Sequence, residues 1–293
     1  MKALVESVKD TIVATIKGTG EIVNAVTETV SGSLTTALKG TGSVGKALTD
    51  TVADVASGVV KGTSQVGGDL GQATKGAVIG ILQGTKQVGG EALDAVGSTV
   101  KNLVRETAAV GGDVGNAARQ AMEGTVEGAS QVGIKGIDAV AAAATGAIEG
   151  VGGVGAAATN TVSSVARGLI QGASNVGGDL GAAARGSVIG VLRGTRELTG
   201  ETTQTISSTA SSLVKATADV GGDVGVTAKA AVQGAIQGAK EVGVDTAEAA
   251  SAAATGALEA AGEISTTAVE QVRNAATGVI DGVKVIVRAP FTK

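Results

Sequence analysis

The sequence contains no cysteine, histidine, tryptophan or tyrosine, and only one proline and one phenylalanine among its 293 residues. Without histidine and cysteine it lacks the usual general base, the usual thiol nucleophile and the common ligands of zinc and haem. The net charge is -4, with lysine and arginine scattered along the chain, which argues against a nucleic-acid interface. We therefore expect no enzyme activity, no cofactor, no metal, no small-molecule substrate and no nucleic-acid partner.

Apolar runs long enough for targeting or for membrane insertion are also missing. Charged residues begin at Lys2 and Glu6, where a signal peptide needs an apolar stretch. No window has the roughly 18 apolar residues of a membrane-spanning helix. The sequence thus predicts a protein that is cytoplasmic or peripheral to an internal surface.

Glycine is abundant, with 48 residues, and it follows a long repeat. The motif at 67–71 (GGDLG) returns 110 residues later at 177–181, and 111–115 (GGDVG) returns at 221–225. This shift equals five units of 22 residues or ten units of 11. We therefore predict a helical repeat region at 1–282, within which 64–173 and 174–283 form a duplication, and a non-repeat C-terminal tail at 283–293.

A column of branched aliphatic residues recurs every 22 positions, and the residue after each member is always polar. The column comprises Ile16, Leu38, Val60, Leu82, Val104, Val126, Ile148, Ile170, Leu192, Val214, Ile236, Leu258 and Ile280. Eleven residues make three turns at about 3.67 residues per turn, close to the period of an α-helix. The columns then fall on distinct faces of an amphipathic helix, which a strand of period 2 could not produce.

Small residues form a third face, on which glycines recur four positions apart. Its glycines are Gly58, Gly62, Gly80, Gly84, Gly124, Gly128, Gly146, Gly150, Gly168, Gly172, Gly190, Gly194, Gly234, Gly238, Gly278 and Gly282, together with Gly256, which has Ala260 four residues later. Each glycine inside a helix is about 1 kcal/mol less favourable than alanine. Something must offset this, and small residues spaced in this way allow a second helix to approach closely, as in a glycine zipper.

The predicted fold is all-α, with tandem 11/22-residue repeats forming an elongated set of long helices packed side by side through their Gly/Ala faces. We expect helices longer than one 22-residue unit. The alternative is a set of helices of under 20 residues that reverse at the Gly-Gly-Asp sites, because glycine favours a helix C-cap and aspartate a following N-cap. The reversals would precede Asp69, Asp113, Asp179 and Asp223, with Glu91 as a weaker candidate.

Two other patterns allow chemical interpretations. Glu123 and Glu127 have the spacing of an acid/base or metal-binding pair, but di-metal sites in helix bundles normally add histidine, so we expect these carboxylates to be solvated or paired with basic residues. Threonine recurs in one column, as in the helical antifreeze proteins of fish, which it resembles; the column comprises Thr19, Thr41, Thr63, Thr85, Thr107, Thr195 and Thr217. The simpler interpretation is a small β-branched residue beside a packed face.

Eleven-residue amphipathic repeats without insertions resemble a broad class of proteins: perilipins, synucleins, exchangeable apolipoproteins and late-embryogenesis-abundant proteins. The resemblance covers nearly the whole chain and rests on periodicity, without a diagnostic motif. It implies helices that lie on a lipid surface or that form on binding.

These observations lead to two functional expectations. The first is a non-enzymatic structural protein whose helices pack through glycine, within and between chains, into a bundle, filament or sheet. Its partner would be further copies of the chain, as a homo-oligomer or polymer. The second is a peripheral coat on a lipid droplet, polymer granule or membrane, whose apolar face enters the lipid surface.

Overall fold

The computed structural model describes residues 2–19, 21–38, 44–88, 92–152, 156–195 and 200–287. In this part of the chain there are thirteen α-helices, followed by two short β-strands. The helices are α1 (Lys2–Thr19), α2 (Ile22–Leu38), α3 (Val44–Gln65), α4 (Leu70–Val88), α5 (Ala92–Ala109), α6 (Val114–Val132), α7 (Gly136–Gly150), α8 (Ala156–Asn175), α9 (Leu180–Thr195), α10 (Gly200–Asp219), α11 (Val224–Val242), α12 (Thr246–Ile264) and α13 (Thr266–Ala276). The predicted all-α class is confirmed.

The length of the helices corrects the first expectation. The longest described helix, α3, has 22 residues, and most have fewer than 20. Among the described residues no helix is longer than one repeat unit, and the chain reverses at the four Gly-Gly-Asp sites, as in the alternative, although α3, α8 and α10 have 20 residues or more. The weaker candidate Glu91 lies outside the described residues.

The turn between α3 and α4 shows why the helix ends there. Gly67 has a left-handed φ of 65°, and the N–H of Gly68 donates to the carbonyl oxygen of Thr63 at 2.9 Å. These are the features of a Schellman C-cap, for which glycine is the best residue. Asp69 then accepts from the N–H of Gly71 at 2.7 Å, which caps the next helix. Equivalent bonds form at 111–113, 177–179 and 221–223.

The helices form two layers. Each helix packs most extensively on the helix two positions away in sequence, such as α4 on α2 and α6. These pairs are parallel, since Gly186 and Gly194 in α9 lie against Ile137 and Ile148 in α7, in the same order. Short turns connect consecutive helices, so odd-numbered helices form one layer and even-numbered helices the other. We call this arrangement the helical stack.

The core lies between the two layers and contains mostly valine, alanine, leucine and isoleucine from both. Leu38, Val60, Leu82, Val104, Val126, Ile148, Ile170, Leu192, Val214, Ile236 and Ile280 of the apolar column are buried, while Ile16 and Leu258 are half-buried. The apolar face predicted from the sequence therefore faces the opposite layer.

The repeat columns continue past α13, but the helix does not. Gly278–Ile280 (β1) and Val283–Val285 (β2) form an antiparallel hairpin, with Ile280 opposite Val283. Asp281 and Gly282 form its two-residue loop with φ of 48° and 81°, and an Asp-Gly loop with both φ values positive favours a tight hairpin. The helical repeat thus ends at Ala276, six residues before the boundary predicted at 282.

Candidate functional site: glycine contacts and outer faces

The glycines on the small face lie against the backbone of the helix two positions earlier. A Cβ atom at Gly80 would be 2.7 Å from the carbonyl oxygen of Thr27, and one at Gly124 would be 2.7 Å from that of Lys75. At Gly146, Gly168, Gly190 and Gly256 the overlap with a carbonyl oxygen would be more severe. Only a residue without a side chain fits such an approach.

The other predicted glycines of the small face divide into two groups. Gly58, Gly62, Gly84, Gly128, Gly150, Gly172, Gly194, Gly234 and Gly238 are in helices, and a Cβ at each would meet atoms of the helix two positions earlier at 2.5–3.1 Å. Gly278 and Gly282 are in the hairpin, where a Cβ would have no neighbour within 4 Å. These two are therefore not helix-packing residues, because their backbone turns the hairpin.

Sequence reasoning missed two glycines with the same environment. A Cβ at Gly76 would be 2.5 Å from the carbonyl oxygen of Val23, and one at Gly186 would be 2.7 Å from that of Ile137. Each precedes a predicted glycine by four residues, at Gly80 and Gly190. The spacing that identified the face could have extended it by one further turn.

Close approach brings polar groups of neighbouring helices within bonding distance. The hydroxyl of Thr27 donates to the carbonyl oxygen of Gly76 at 3.1 Å, and that of Thr145 donates to the carbonyl oxygen of Gly190 at 3.1 Å. The glycine contacts are therefore hydrogen-bonded as well as close-packed.

Ion pairs join the same parallel helices on the outer faces. Lys75 pairs with Glu127 at 2.8 Å and Lys101 pairs with Glu149 at 2.9 Å. Arg193–Glu241 at 2.8 Å and Lys215–Glu263 at 2.7 Å repeat the arrangement. In all four the cation belongs to the earlier helix. These groups are partly exposed, so each pair contributes at most about 1 kcal/mol.

Glu241 has a shifted pKa. Partial burial raises the pKa of this carboxyl, but hydrogen bonds from Gln237 and Arg193 and the charge of Arg193 outweigh that effect. Its pKa therefore lies below the ordinary value. Because its pKa is lowered on folding, ionised Glu241 stabilises the folded state. This contribution is present above the unfolded-state pKa of the carboxyl and is lost as the pH falls through the folded-state pKa.

The two carboxylates with acid/base spacing are held by different cations. Glu123 is buried and pairs with Arg119 at 2.6 Å, while Glu127 pairs with Lys75. In the described residues no cluster of three or more carboxylates forms a candidate metal site. Both side chains are thus engaged in ion pairs, as expected from the sequence.

The threonine column does not form a surface. Thr63, Thr85, Thr107 and Thr217 are fully buried, whereas ice binding needs a regular exposed row. The hydroxyls of Thr63, Thr85 and Thr107 have no hydrogen-bond partner, and that of Thr217 bonds to Thr227 at 3.1 Å. The simpler interpretation, a β-branched residue in a packed seam, describes this column.

Two shallow grooves interrupt the outer faces near the C-terminal half. One has a volume of about 450 Å³ and lies at the start of α7, α9 and α11, all in the odd layer. The other has a volume of about 780 Å³ and lies between the first half of α10, most of α12 as far as Glu259, and β2. Each groove is lined by helices of one layer only, so the two are on opposite sides of the stack.

No protein-family model matches the chain, and no curated protein matches it.

Among the described helices, none combines the length and apolarity needed to cross a bilayer.

Proposed function

We propose that this chain is a non-enzymatic structural protein, in which the folded helical stack is the building unit and copies of the unit associate. One observation carries the proposal: in the described residues, the contact of a glycine with a carbonyl oxygen recurs in eight of the ten pairs of helices two positions apart from α1–α3 to α10–α12, and only α3–α5 and α8–α10 lack it. Repeat proteins built in this way hold an extended surface in a fixed shape. A scaffold protein binds its partners through an extended surface of this kind and does not require a cavity.

The location of the glycines modifies the expected mode of assembly. The sequence predicted glycine contacts within and between chains, whereas the described contacts all lie within one chain. The small faces of α3, α4, α6, α7, α8, α9, α11 and α12 are therefore already occupied by neighbouring helices. In our proposal glycine builds the unit, and other surfaces join one unit to the next.

The lipid-coat alternative makes a different demand on the fold. The apolar column is buried between the layers, so it would have to leave the core before it could enter a lipid surface. Circular dichroism in buffer, with and without anionic vesicles or an oil emulsion, separates the two functions. We expect strong helicity in buffer that lipid leaves unchanged, together with a sedimenting species larger than the 27.9 kDa chain.

Disorder in buffer that becomes helical only with lipid would contradict the scaffold and support the coat. Sedimentation as a monomer at all concentrations would contradict self-association.

Replacing Gly80, Gly124, Gly168 and Gly234 together by leucine tests the role of the glycines in building the unit. Leucine raises intrinsic helix propensity by about 1 kcal/mol per site, but each side chain would collide with a carbonyl oxygen of the neighbouring helix. We expect loss of cooperative unfolding and of assembly, measured by urea denaturation and sedimentation. An intact stack in this variant would show that the close contacts are dispensable.

A further inference from the structure

We propose that copies of the chain join through the two grooves on opposite sides of the stack, the groove in the odd layer of one copy meeting the groove in the even layer of the next. This inference rests on the proposed self-association and names the surfaces that produce it. The occupant of each groove is a second copy of this chain, because the two grooves carry opposite charge and each exposes an apolar side chain.

The groove in the odd layer is basic. Arg185 and Lys229 line it, and no carboxylate of the described residues lies within ion-pair distance of either. Arg185 donates instead to the amide oxygen of Gln237 at 2.7 Å. The carboxylate that lines the groove, Asp179, accepts from the N–H of Ala182 as the N-cap of α9. We call this surface the basic groove.

An exposed apolar residue lies in the basic groove. Val226 is 54% exposed, at the start of α11, although valine in this protein is mostly buried. Its Cγ1 is 3.4 Å from the position that a Cβ would have at Gly181, so it covers the start of α9. A partner that covered Val226 would remove apolar area from water, which favours association.

The groove in the even layer is acidic. Glu248 and Glu259 of α12 line it, both are exposed, and no described lysine or arginine lies within ion-pair distance of either. Asp245 caps α12 by accepting from Ala247 and Glu248, and Lys284 contributes one positive charge. Ile286, 59% exposed, is its apolar residue. We call this surface the acidic groove.

The positions of the grooves determine the kind of assembly. The basic groove lies along the first half of the odd helices α9 and α11, and the acidic groove extends along the even helix α12 from Asp245 to Glu259, so they are on opposite layers of the stack. A copy can therefore use both at once. Contact between two different surfaces is heterologous, and a heterologous contact that does not close into a ring continues into a filament. This agrees with the filament or sheet expected from the sequence.

Charge reversal tests the pairing directly. We expect Arg185→Glu with Lys229→Glu, and separately Glu248→Lys with Glu259→Lys, each to weaken association at least tenfold, measured by sedimentation velocity at low salt. Each variant then carries two grooves of the same sign. An equimolar mixture of the two variants restores complementary charge between different chains, so we expect it to associate, as should the chain with all four reversals.

Matched controls separate this pairing from general charge effects. Lys86→Glu with Arg167→Glu makes the same change in net charge as Arg185→Glu with Lys229→Glu, at exposed positions outside both grooves. We expect this variant to associate as the original chain does.

The neutral change Arg185→Gln with Lys229→Gln should weaken association less than charge reversal. Higher salt should also weaken it, because exposed charges are screened beyond about 10 Å at 0.1 M. Circular dichroism verifies that each variant is folded.

The outcomes distinguish this inference from the function on which it rests. A monomeric original chain would overturn both. An original chain that associates, with reversed variants that associate equally well, would overturn the groove pairing and leave the structural function standing. Failure of the two reversed variants to associate with each other would also overturn the pairing.

Discussion

Gly256 in α12 and Gly32 in α2 are both helix-interior glycines, yet their surroundings are opposite. A Cβ at Gly256 would overlap the carbonyl oxygen of Ser207 in α10, whereas one at Gly32 would have no neighbour within 4 Å. The difference follows from position, because α10 precedes α12 in its layer and the described residues contain no helix before α2 in the same layer. We infer that the helix-weakening effect of glycine is offset at Gly256, where another backbone lies against it, and not at Gly32.

The largest effect that this comparison predicts is at the crowded site. Gly256→Ala should destabilise the protein by about 2–3 kcal/mol, because a methyl group cannot fit between two backbones without moving a helix. The midpoint of urea denaturation measures the change. Gly262→Ala is the matched control in the same helix, since its Cβ would meet nothing within 4 Å. Equal effects at the two positions would remove the distinction between crowded and open glycines.

The second effect separates crowding from backbone conformation. Gly282 has open space around it but a φ of 81°, so Gly282→Ala should destabilise the hairpin by roughly 1–2 kcal/mol through strain alone. Hydrogen exchange of the β1 and β2 amides measures this loss locally. Gly282→Asn is the control, since asparagine tolerates the left-handed region. A hairpin as stable with alanine as with glycine would contradict this explanation.

The smallest effect has the opposite sign. Gly32→Ala should stabilise the protein by about 0.5–1 kcal/mol, because alanine has the higher helix propensity and restricts the unfolded chain. The same urea denaturation detects it as a raised midpoint. A lowered midpoint would indicate a neighbour packed against this face of α2, such as another copy of the chain.

Prediction from the sequence was most accurate for the faces of the helices. The columns placed Leu82 and Ile236 in the core, and both are buried, because a 3.67-residue period is a local property of the chain. The length of the helices was wrong, although the signal was present: Gly67, Gly68 and Asp69 are good residues for ending one helix and starting another. Because the repeat continues without insertions, we predicted continuous helices and gave less weight to these local turn residues.

The hairpin was the other miss. Gly278, Ile280 and Gly282 continue the columns of the helical repeat, so they were assigned to its small and apolar faces. Asp281 occupies a position where earlier repeats carry lysine, glutamine, arginine or glutamate, and Asp-Gly flanked by β-branched residues predicts a hairpin. Local turn chemistry therefore overrides the repeat at this point.

The sequence by itself determined the helical class, the 22-residue unit and the side of each helix that avoids water, since these depend on neighbours along the chain. Only the tertiary structure decided which helices of the chain the glycines contact. It also decided that the charges at α9–α11 and at α12 lie on opposite layers. Those facts depend on how successive turns fold the chain back, which brings together residues almost fifty positions apart that no local pattern relates.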